Sequence, residues 1–270
     1  MKKVVFWIIA FLITAGTAVF QRLTGPTHSL SGKTSLDDSV ISYRLERSHE
    51  TTSDYEIRID IQNPDIAGAL MYKKHKTSDP WTRIPMTRSE VALTGTLPRQ
   101  PRAGKLEYKV IISSGEEEIS LAGADPVIIR FKDPVPAAIL IPHILIMFAA
   151  MLFSTRAGIE ALDAKGNPKK LAFWTLGLLL AGGFILGPLV QKFAFGELWT
   201  GFPIGHDLTD NKTLIATIGW IAAIIAGRRG KSARGWILGA SILLLTVYLI
   251  PHSLLGSELD YSQTSASPSH

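Results

Sequence analysis

The sequence predicts an integral membrane bundle of about five transmembrane helices that carries an inserted, extracytoplasmic all-β sandwich. Two patterns indicate the helices: long stretches without Asp, Glu, Lys or Arg, and basic clusters that alternate between the connections. A third pattern, short runs of alternating polar and apolar residues between turn signals, indicates the sandwich within residues 40–132. The chain is therefore expected to have one membrane part and one exported part.

Five charge-free stretches are candidate membrane segments. Four of them approach the roughly 20 residues needed to cross about 30 Å of hydrocarbon. The short fourth stretch is expected to span only where the lipid is thinned or the side chain of Lys212 snorkels to the interface. In chain order the stretches are residues 4–20, 135–155, 171–191, 213–227 and 235–251.

The formal net charge of +5 indicates how the chain is oriented across the membrane. Residues 21–134 hold equal numbers of acidic and basic side chains, so the excess of basic residues lies elsewhere. The surplus lies between segments in alternation, as the positive-inside rule requires. We expect a bacterial inner-membrane protein with a cytoplasmic N-terminus and a periplasmic β domain and C-terminus. The lipid bilayer is its predicted partner, and nucleic acid is not. The basic clusters are Lys2 and Lys3; Arg156, Lys165, Lys169 and Lys170; and Arg228, Arg229, Lys231 and Arg234.

Alternation in the exported region predicts seven or eight antiparallel strands packed as two sheets. Four aromatic residues, Tyr43, Tyr72, Trp81 and Tyr108, are candidates for the core or for cross-strand pairs. The clearest alternating runs are residues 40–45, 55–61, 69–73, 106–112 and 127–131.

Residues 101–110 (PRAGKLEYKV) resemble the strand-entry pattern of immunoglobulin-like and fibronectin-type modules. The resemblance is confined to the exported region and concerns the fold. It implies a binding or spacer module rather than an activity.

Four domains follow from these patterns. The first stretch, in residues 1–24, is read as a retained membrane anchor. A cleaved signal peptide is the alternative, but the apolar core is long and Ala-x-Ala is absent. The remaining domains are an immunoglobulin-like periplasmic sandwich (25–134), a four-helix transmembrane bundle (135–255) and a disordered extracytoplasmic tail (256–270).

The tetrapeptide Leu-Ile-Pro-His occurs at residues 140–143 and again at 249–252. Ionisable groups in membrane segments tend to mark functional sites. Opposite directions of the second and fifth segments bring His143 and His252 toward one outer slab, where His206 of the third-to-fourth loop also lies. These three histidines are the candidate ligands of a haem or transition metal, or candidates for proton or quinone chemistry. Alternatively, the adjacent prolines kink or end helices and the imidazoles bond the freed carbonyls.

The loop around residues 195–211 alternates glycines and aromatics, as in a re-entrant or interfacial loop. His206, Asp207 and Asp210 form a candidate metal set there. The alternative for Asp210 is structural, since Thr209, Asp210 or Asn211 would cap the fourth segment. Asp207 has no such structural explanation in the sequence.

The third segment contains Gly183-x-x-x-Gly187, a spacing that permits close helix approach within the bundle or in a homodimer. Farther inward, residues 154–162 are expected to extend the second helix past the membrane, with Arg156 anchored at the headgroups.

No catalytic motif is found, and the lack of Cys excludes disulfides, Cys-ligated zinc and iron–sulfur clusters. A non-enzymatic role is therefore favoured: an accessory or scaffolding subunit of an envelope complex. The alternative is a haem- or metal-binding redox protein that uses the outer histidines. A third hypothesis is an enzyme acting on lipid-linked or periplasmic substrates at the loop of residues 199–211.

Overall fold

The computed structural model describes residues 1–228, 233–251, 256 and 258–261. His252, Arg229 and Lys231, which entered the sequence predictions, lie outside the described residues. The chain forms two units, each with its own core. One comprises Met1–Pro26 and Val135–Ser257, and the other comprises Thr27–Pro134 and Glu258–His270.

The second unit, here called the β unit, contains eleven strands among its described residues. All five runs that alternation singled out are strands, and they correspond to β2, β4, β5, β9 and β11. The expectation of seven or eight strands is exceeded because very short strands such as β3 and β7 leave too few residues for an alternating pattern. The strands are β1 Leu30–Leu36, β2 Ser39–Leu45, β3 Ser48–Glu50, β4 Tyr55–Asp60, β5 Ala67–Lys74, β6 Thr82–Pro85, β7 Thr87–Arg88, β8 Ala92–Leu97, β9 Lys105–Ser114, β10 Glu117–Ser120 and β11 Val127–Lys132.

These strands pair in three sheets. Strands β1 and β2 form a hairpin, strands β4-β8-β7 form a second sheet, and the largest sheet has the order β3-β11-β9-β5-β6 with β10 also paired to β9. The pairs are antiparallel except β11 with β3, where Arg130 lies opposite Ser48 in parallel register. Alternation alone did not predict that parallel pair, because it does not distinguish pairing directions.

The core of the β unit follows from the two-residue period of its strands. In β9 every second residue from Leu106 to Ile112 is buried, and β4 contributes Ile57 and Ile59 to the same hydrophobic cluster. Tyr108 is fully buried, and its hydroxyl donates to the carbonyl of Glu46 at 2.8 Å. That hydrogen bond satisfies the polar end of an otherwise apolar side chain.

Of the other aromatic candidates in the β unit, Tyr43 and Tyr72 are half-buried and pack against the core. Trp81 is half-buried, and the Nζ atom of Lys73 lies 5.4 Å from its ring centroid. Tyr108 is therefore the fully buried member of the predicted set.

The first unit, here called the helical unit, is all-α in its described part. Three of its helices are long and apolar enough to cross a membrane: Lys2–Thr24, Ala137–Leu162 and Lys169–Phe195. The third is continuous but contains a π-helical turn between α3 and α4. Its helices are α1 Lys2–Thr24, α2 Ala137–Leu162, α3 Lys169–Leu179, the π-helical turn Leu180–Leu186, α4 Gly187–Phe195, α5 Leu208–Arg228 and α6 Ala233–Leu249.

The last two predicted membrane stretches differ from the first three. Helix α6 is apolar but has 17 residues. Helix α5 begins before the charge-free stretch and includes Asp210 and Lys212 in its first two turns. Length and composition therefore support three spans directly, and the two remaining helices pack against them through small residues.

Small residues allow the helices of this unit to approach closely. Gly182 lies against the sulfur of Met147 on α2, and Gly183 leaves room for the methyl group of Thr213 on α5. The predicted Gly183-x-x-x-Gly187 motif therefore lies at contacts within the helical unit. Trp220 of α5 is fully buried in the core of this unit.

Candidate functional site

The loop of residues 196–207 is held by the first turns of α5. The Asp210 carboxylate, in a residue only 8% exposed, accepts the backbone N–H groups of Thr200 at 2.7 Å and Gly201 at 3.1 Å. With its amide oriented to satisfy both neighbours, Gln191 of α4 donates to Asp210 Oδ1 at 2.9 Å. Gly201 is required here because a Cβ atom would lie 2.6 Å from the Cβ of Asp210. We call Gln191, Thr200, Gly201 and Asp210 the loop clamp.

Two neighbouring side chains complete the connection. The Asn211 side-chain oxygen accepts the N–H of Phe202 at 2.7 Å. Asp207 precedes α5, and its Oδ1 accepts the N–H of Thr209 at 2.8 Å, which is an N-cap interaction. The prediction that Thr209, Asp210 or Asn211 would cap this helix is wrong, because the helix begins at Leu208. Asp207 has the structural role that the sequence did not suggest for it.

The predicted metal residues are not assembled in the described part of the chain. His206 is exposed, whereas Asp207 and Asp210 accept backbone N–H groups. Among the described residues no group of three or more His, Asp or Glu side chains is arranged to hold a metal ion. His252 lies outside the described residues, so the structure gives no distance from it to His143.

His143 is the seventh residue of α2 and forms a specific contact with the π-helical turn. Its Nδ1 atom lies 3.0 Å from the carbonyl oxygen of Gly182 and donates to it when the proton is on Nδ1. A π-helical turn shifts backbone pairing and leaves carbonyls accessible to side chains. The imidazole therefore bonds a backbone carbonyl, but not one freed by the adjacent proline: the carbonyl belongs to the third segment and also accepts the N–H of Gly187.

The carbonyls at the end of α6 are satisfied by two other helices. The Nζ atom of Lys212 donates to the carbonyl of Ile250 at 2.6 Å, and Gln21 of α1 donates to the carbonyl of Tyr248 at 2.7 Å. Lys212 is 2% exposed, so it does not snorkel away from the helices. A cation at a helix C-terminus is favourable because the last carbonyls carry partial negative charge. Sequence reasoning missed this contact because it depends on the packing of α5 against α6.

Far along α2 from His143, a buried ion pair within α2 packs against two aromatic rings of α1. Arg156 pairs with Glu160 at 2.6 Å, and its guanidinium lies 5.1 Å and 5.5 Å from the rings of Phe6 and Trp7. The Arg156 side chain is 4% exposed, so the prediction of a headgroup anchor is wrong. The rings offer a cation–π surface that replaces solvent around the guanidinium.

A second ion pair lies at the same end of the helical unit. Lys2 contacts Asp163 at 2.8 Å, and the hydrogen bond from Lys2 holds the pKa of Asp163 below its ordinary value. The Lys2–Asp163 pair and the aromatic rings over Arg156 tie the beginning of α1 to the end of α2.

The buried charged side chains in the described part of the helical unit thus bond to backbone groups or to an opposite charge: Arg156, Glu160, Asp210 and Lys212. This arrangement fixes helices and a loop relative to one another. No family model matches this chain, and neither a curated protein nor a solved structure is detectably similar to it. Functional inference therefore depends on the geometry of the chain itself.

Proposed function

We propose that this chain is a polytopic protein of the bacterial inner membrane that presents an immunoglobulin-like β-sandwich to the periplasm as an accessory or scaffolding subunit of an envelope complex. The proposal depends on one observation: the chain forms two units that have separate cores and different kinds of contact. The helical unit uses its buried charges to hold its own helices and loop, and the β unit has a separate core.

Exposed apolar side chains on the three long helices support membrane insertion. Leu12, Leu145 and Ile185 are 63%, 63% and 62% exposed. Apolar surfaces of this extent are rare on soluble proteins and mark contact with lipid or protein. Basic residues alternate between the connections, which supports a cytoplasmic N-terminus.

Core composition in the β unit supports a sandwich. Ile57 of the three-stranded sheet, Ile41 of the hairpin and Val110 of the largest sheet belong to a single hydrophobic cluster. Two inner sheet faces that share one core are the defining feature of a sandwich. A rigid module with such a core is suited to presenting binding surfaces.

The absence of Cys makes the orientation directly testable. A single Cys is introduced by Val40→Cys in the β unit, at a position 73% exposed, or by Lys165→Cys in the exposed connection between α2 and α3. In intact spheroplasts, a membrane-impermeant maleimide should label the Val40 variant. It should label the Lys165 variant only after permeabilisation. The reverse pattern, or labelling of both before permeabilisation, would contradict the proposed orientation.

The scaffolding role is tested by crosslinking in cells. Benzophenone maleimide is attached to Val40→Cys and, on another sheet, to Glu117→Cys, which is also exposed. At least one position should give a defined protein adduct on irradiation, with Lys165→Cys as the matched control on a different connection. A strictly monomeric chain without an adduct from either position would count against a scaffold.

A further inference from the structure

The C-terminal segment Glu258–Tyr261 occupies a built pocket in the β unit. Tyr261 is 8% exposed, and its hydroxyl accepts the N–H of Lys105 at 2.9 Å. The same hydroxyl lies 3.1 Å from both the carbonyl of Lys105 and the side-chain oxygen of Gln100, which are acceptors for its proton. A tyrosine hydroxyl thus has its donor and its acceptor capacity satisfied by groups of the β unit.

Backbone geometry shapes this pocket around the ring. A Cβ atom at Gly104 would lie 2.9 Å from the Tyr261 hydroxyl oxygen, so glycine leaves the required space. One residue earlier, the carbonyl of Ala103 accepts the N–H of Leu259 at 3.1 Å. We call Gln100, Ala103, Gly104 and Lys105 the tyrosine pocket.

Basic side chains at the pocket rim match the acidic character of the segment. Glu258 Oε2 lies 3.0 Å from Lys76 Nζ and 2.9 Å from Lys105 Nζ. Lys74 Nζ lies 5.3 Å from the centroid of the Tyr261 ring. Exposed ion pairs alone contribute little, but here they flank a buried aromatic anchor with directional hydrogen bonds.

His75 contacts a glutamate of the β unit and the glutamate of the C-terminal segment. His75 Nδ1 lies 2.8 Å from Glu107 Oε1, and its Nε2 lies 3.8 Å from Glu258 Oε1. Lys73 also contacts Glu107, at 3.5 Å. The pocket and its rim therefore present a net basic surface with one satisfied internal carboxylate.

We propose that the tyrosine pocket is a peptide-recognition site for short acidic segments with a glutamate three residues before a tyrosine, and that Glu258–Tyr261 is its resident ligand. Recognition combines a main-chain hydrogen bond, a charge contact and a buried aromatic anchor, as in other peptide-binding modules. The resident segment is connected to the β unit through the chain, so its effective concentration is high and it limits access of free peptides. This inference does not depend on membrane insertion or on the scaffolding role.

The test uses the full chain with Glu258→Ala and Tyr261→Ala, which vacates the pocket. A fluorescein-labelled peptide with the sequence of residues 256–263 is titrated, and binding is measured by fluorescence anisotropy. The vacated variant should bind the peptide at least about tenfold more tightly than the wild-type chain, because the competing segment is gone. A peptide with Tyr261→Ala should bind at least about tenfold more weakly than the native peptide, because it lacks the anchor. A scrambled peptide of the same composition is the matched control.

Equal affinity for native and scrambled peptides, or no binding by the vacated variant, would overturn the proposal. Folding of that variant is checked by its thermal unfolding midpoint. If it does not fold, Tyr261→Phe in the intact chain keeps the ring and removes the hydroxyl. Hydrogen exchange at the Leu259 amide should then accelerate at least about tenfold, since the hydroxyl contacts are lost. An unchanged exchange rate would also overturn the proposal.

Discussion

The carboxylate of Asp210 accepts the backbone N–H of Thr200 at 2.7 Å, so the first turn of α5 holds the loop that precedes it. The same carboxylate oxygen, Oδ2, also accepts the N–H of Gly201 at 3.1 Å. The sequence predicts a shared ligand for His143, His206 and His252, of which His252 lies outside the described residues. Among the described residues, the imidazole of His143 contacts the π-helical turn and Asp210 holds the loop.

Asp210→Asn should loosen the loop clamp. Both backbone N–H groups bond to Oδ2, so the amide oxygen of Asn can accept both while its NH₂ group faces Gln191, and what is lost is the negative charge of the acceptor. We expect a loss of about 1 kcal/mol in the free energy of unfolding, since hydrogen bonds to a charged acceptor contribute more than those to a neutral one. Thermal or denaturant unfolding of the full chain in detergent measures it.

Asp207→Asn is the matched control for that change. Asn caps helices as effectively as Asp, so this variant should remain near wild-type stability. Equal destabilisation by the two substitutions would contradict the assignment of the clamp to Asp210.

Arg156→Met should be strongly destabilising. Removal of the guanidinium leaves Glu160 buried without its charge partner, for which a loss of about 3–5 kcal/mol is typical. The double variant Arg156→Met with Glu160→Gln should recover much of this loss, because no uncompensated charge remains. The measurement is the unfolding midpoint of each purified chain. A double variant no more stable than Arg156→Met would argue against the ion pair as the cause.

Helix α1 should be retained in the protein isolated from membranes. Ala10 and Thr14 are fully buried, and Lys2 and Gln21 contact α2 and the end of α6. Cleavage would remove all of these contacts, so intact-mass measurement should give the uncleaved chain. As a control, Thr17→Ala supplies the missing Ala-x-Ala at a half-buried position and tests whether the cleavage motif alone is sufficient for processing. A wild-type mass that lacks α1 would refute retention.

The docked C-terminal segment should weaken in acid. Burial raises the pKa of Glu258, but hydrogen bonds and charges from Lys105 and Lys76 outweigh it and lower that pKa below its ordinary value of 4.5. Burial likewise raises the pKa of Glu107, and the contacts from His75, Lys76 and Lys73 lower it overall. A carboxyl whose folded-state pKa is depressed stabilises the folded state above its ordinary pKa and loses that contribution as the pH falls through the folded value.

Hydrogen exchange at Leu259 in wild type and in Glu258→Gln measures this acid effect. Near neutral pH the wild type should be the better protected, by less than about 1 kcal/mol because Glu258 is partly exposed. The difference should shrink below about pH 4.5, where Glu258 becomes protonated. A difference independent of pH would contradict the role of this carboxylate.

The sequence by itself determined the features that depend on local periodicity. Alternation located β2, β4, β5, β9 and β11, because a strand turns successive side chains to opposite faces. The lengths of the stretches without charged residues located the three long helices, because a helix needs about 20 apolar residues to cross the hydrocarbon of a membrane. The very short β3 and β7 escaped because two or three residues show no period.

Tertiary structure alone decided the roles of the polar side chains. Asp207 and Asp210 are three residues apart, yet one caps a helix and the other holds a loop, because the helix starts between them. Lys212 bonds a carbonyl of Ile250, and Tyr261 fills a pocket beside Lys105, each far away in the chain. A hydrogen bond requires its donor and acceptor to lie about 3 Å apart in space, and such pairs produce no periodic pattern in the sequence. Their partners are therefore set only when the chain folds.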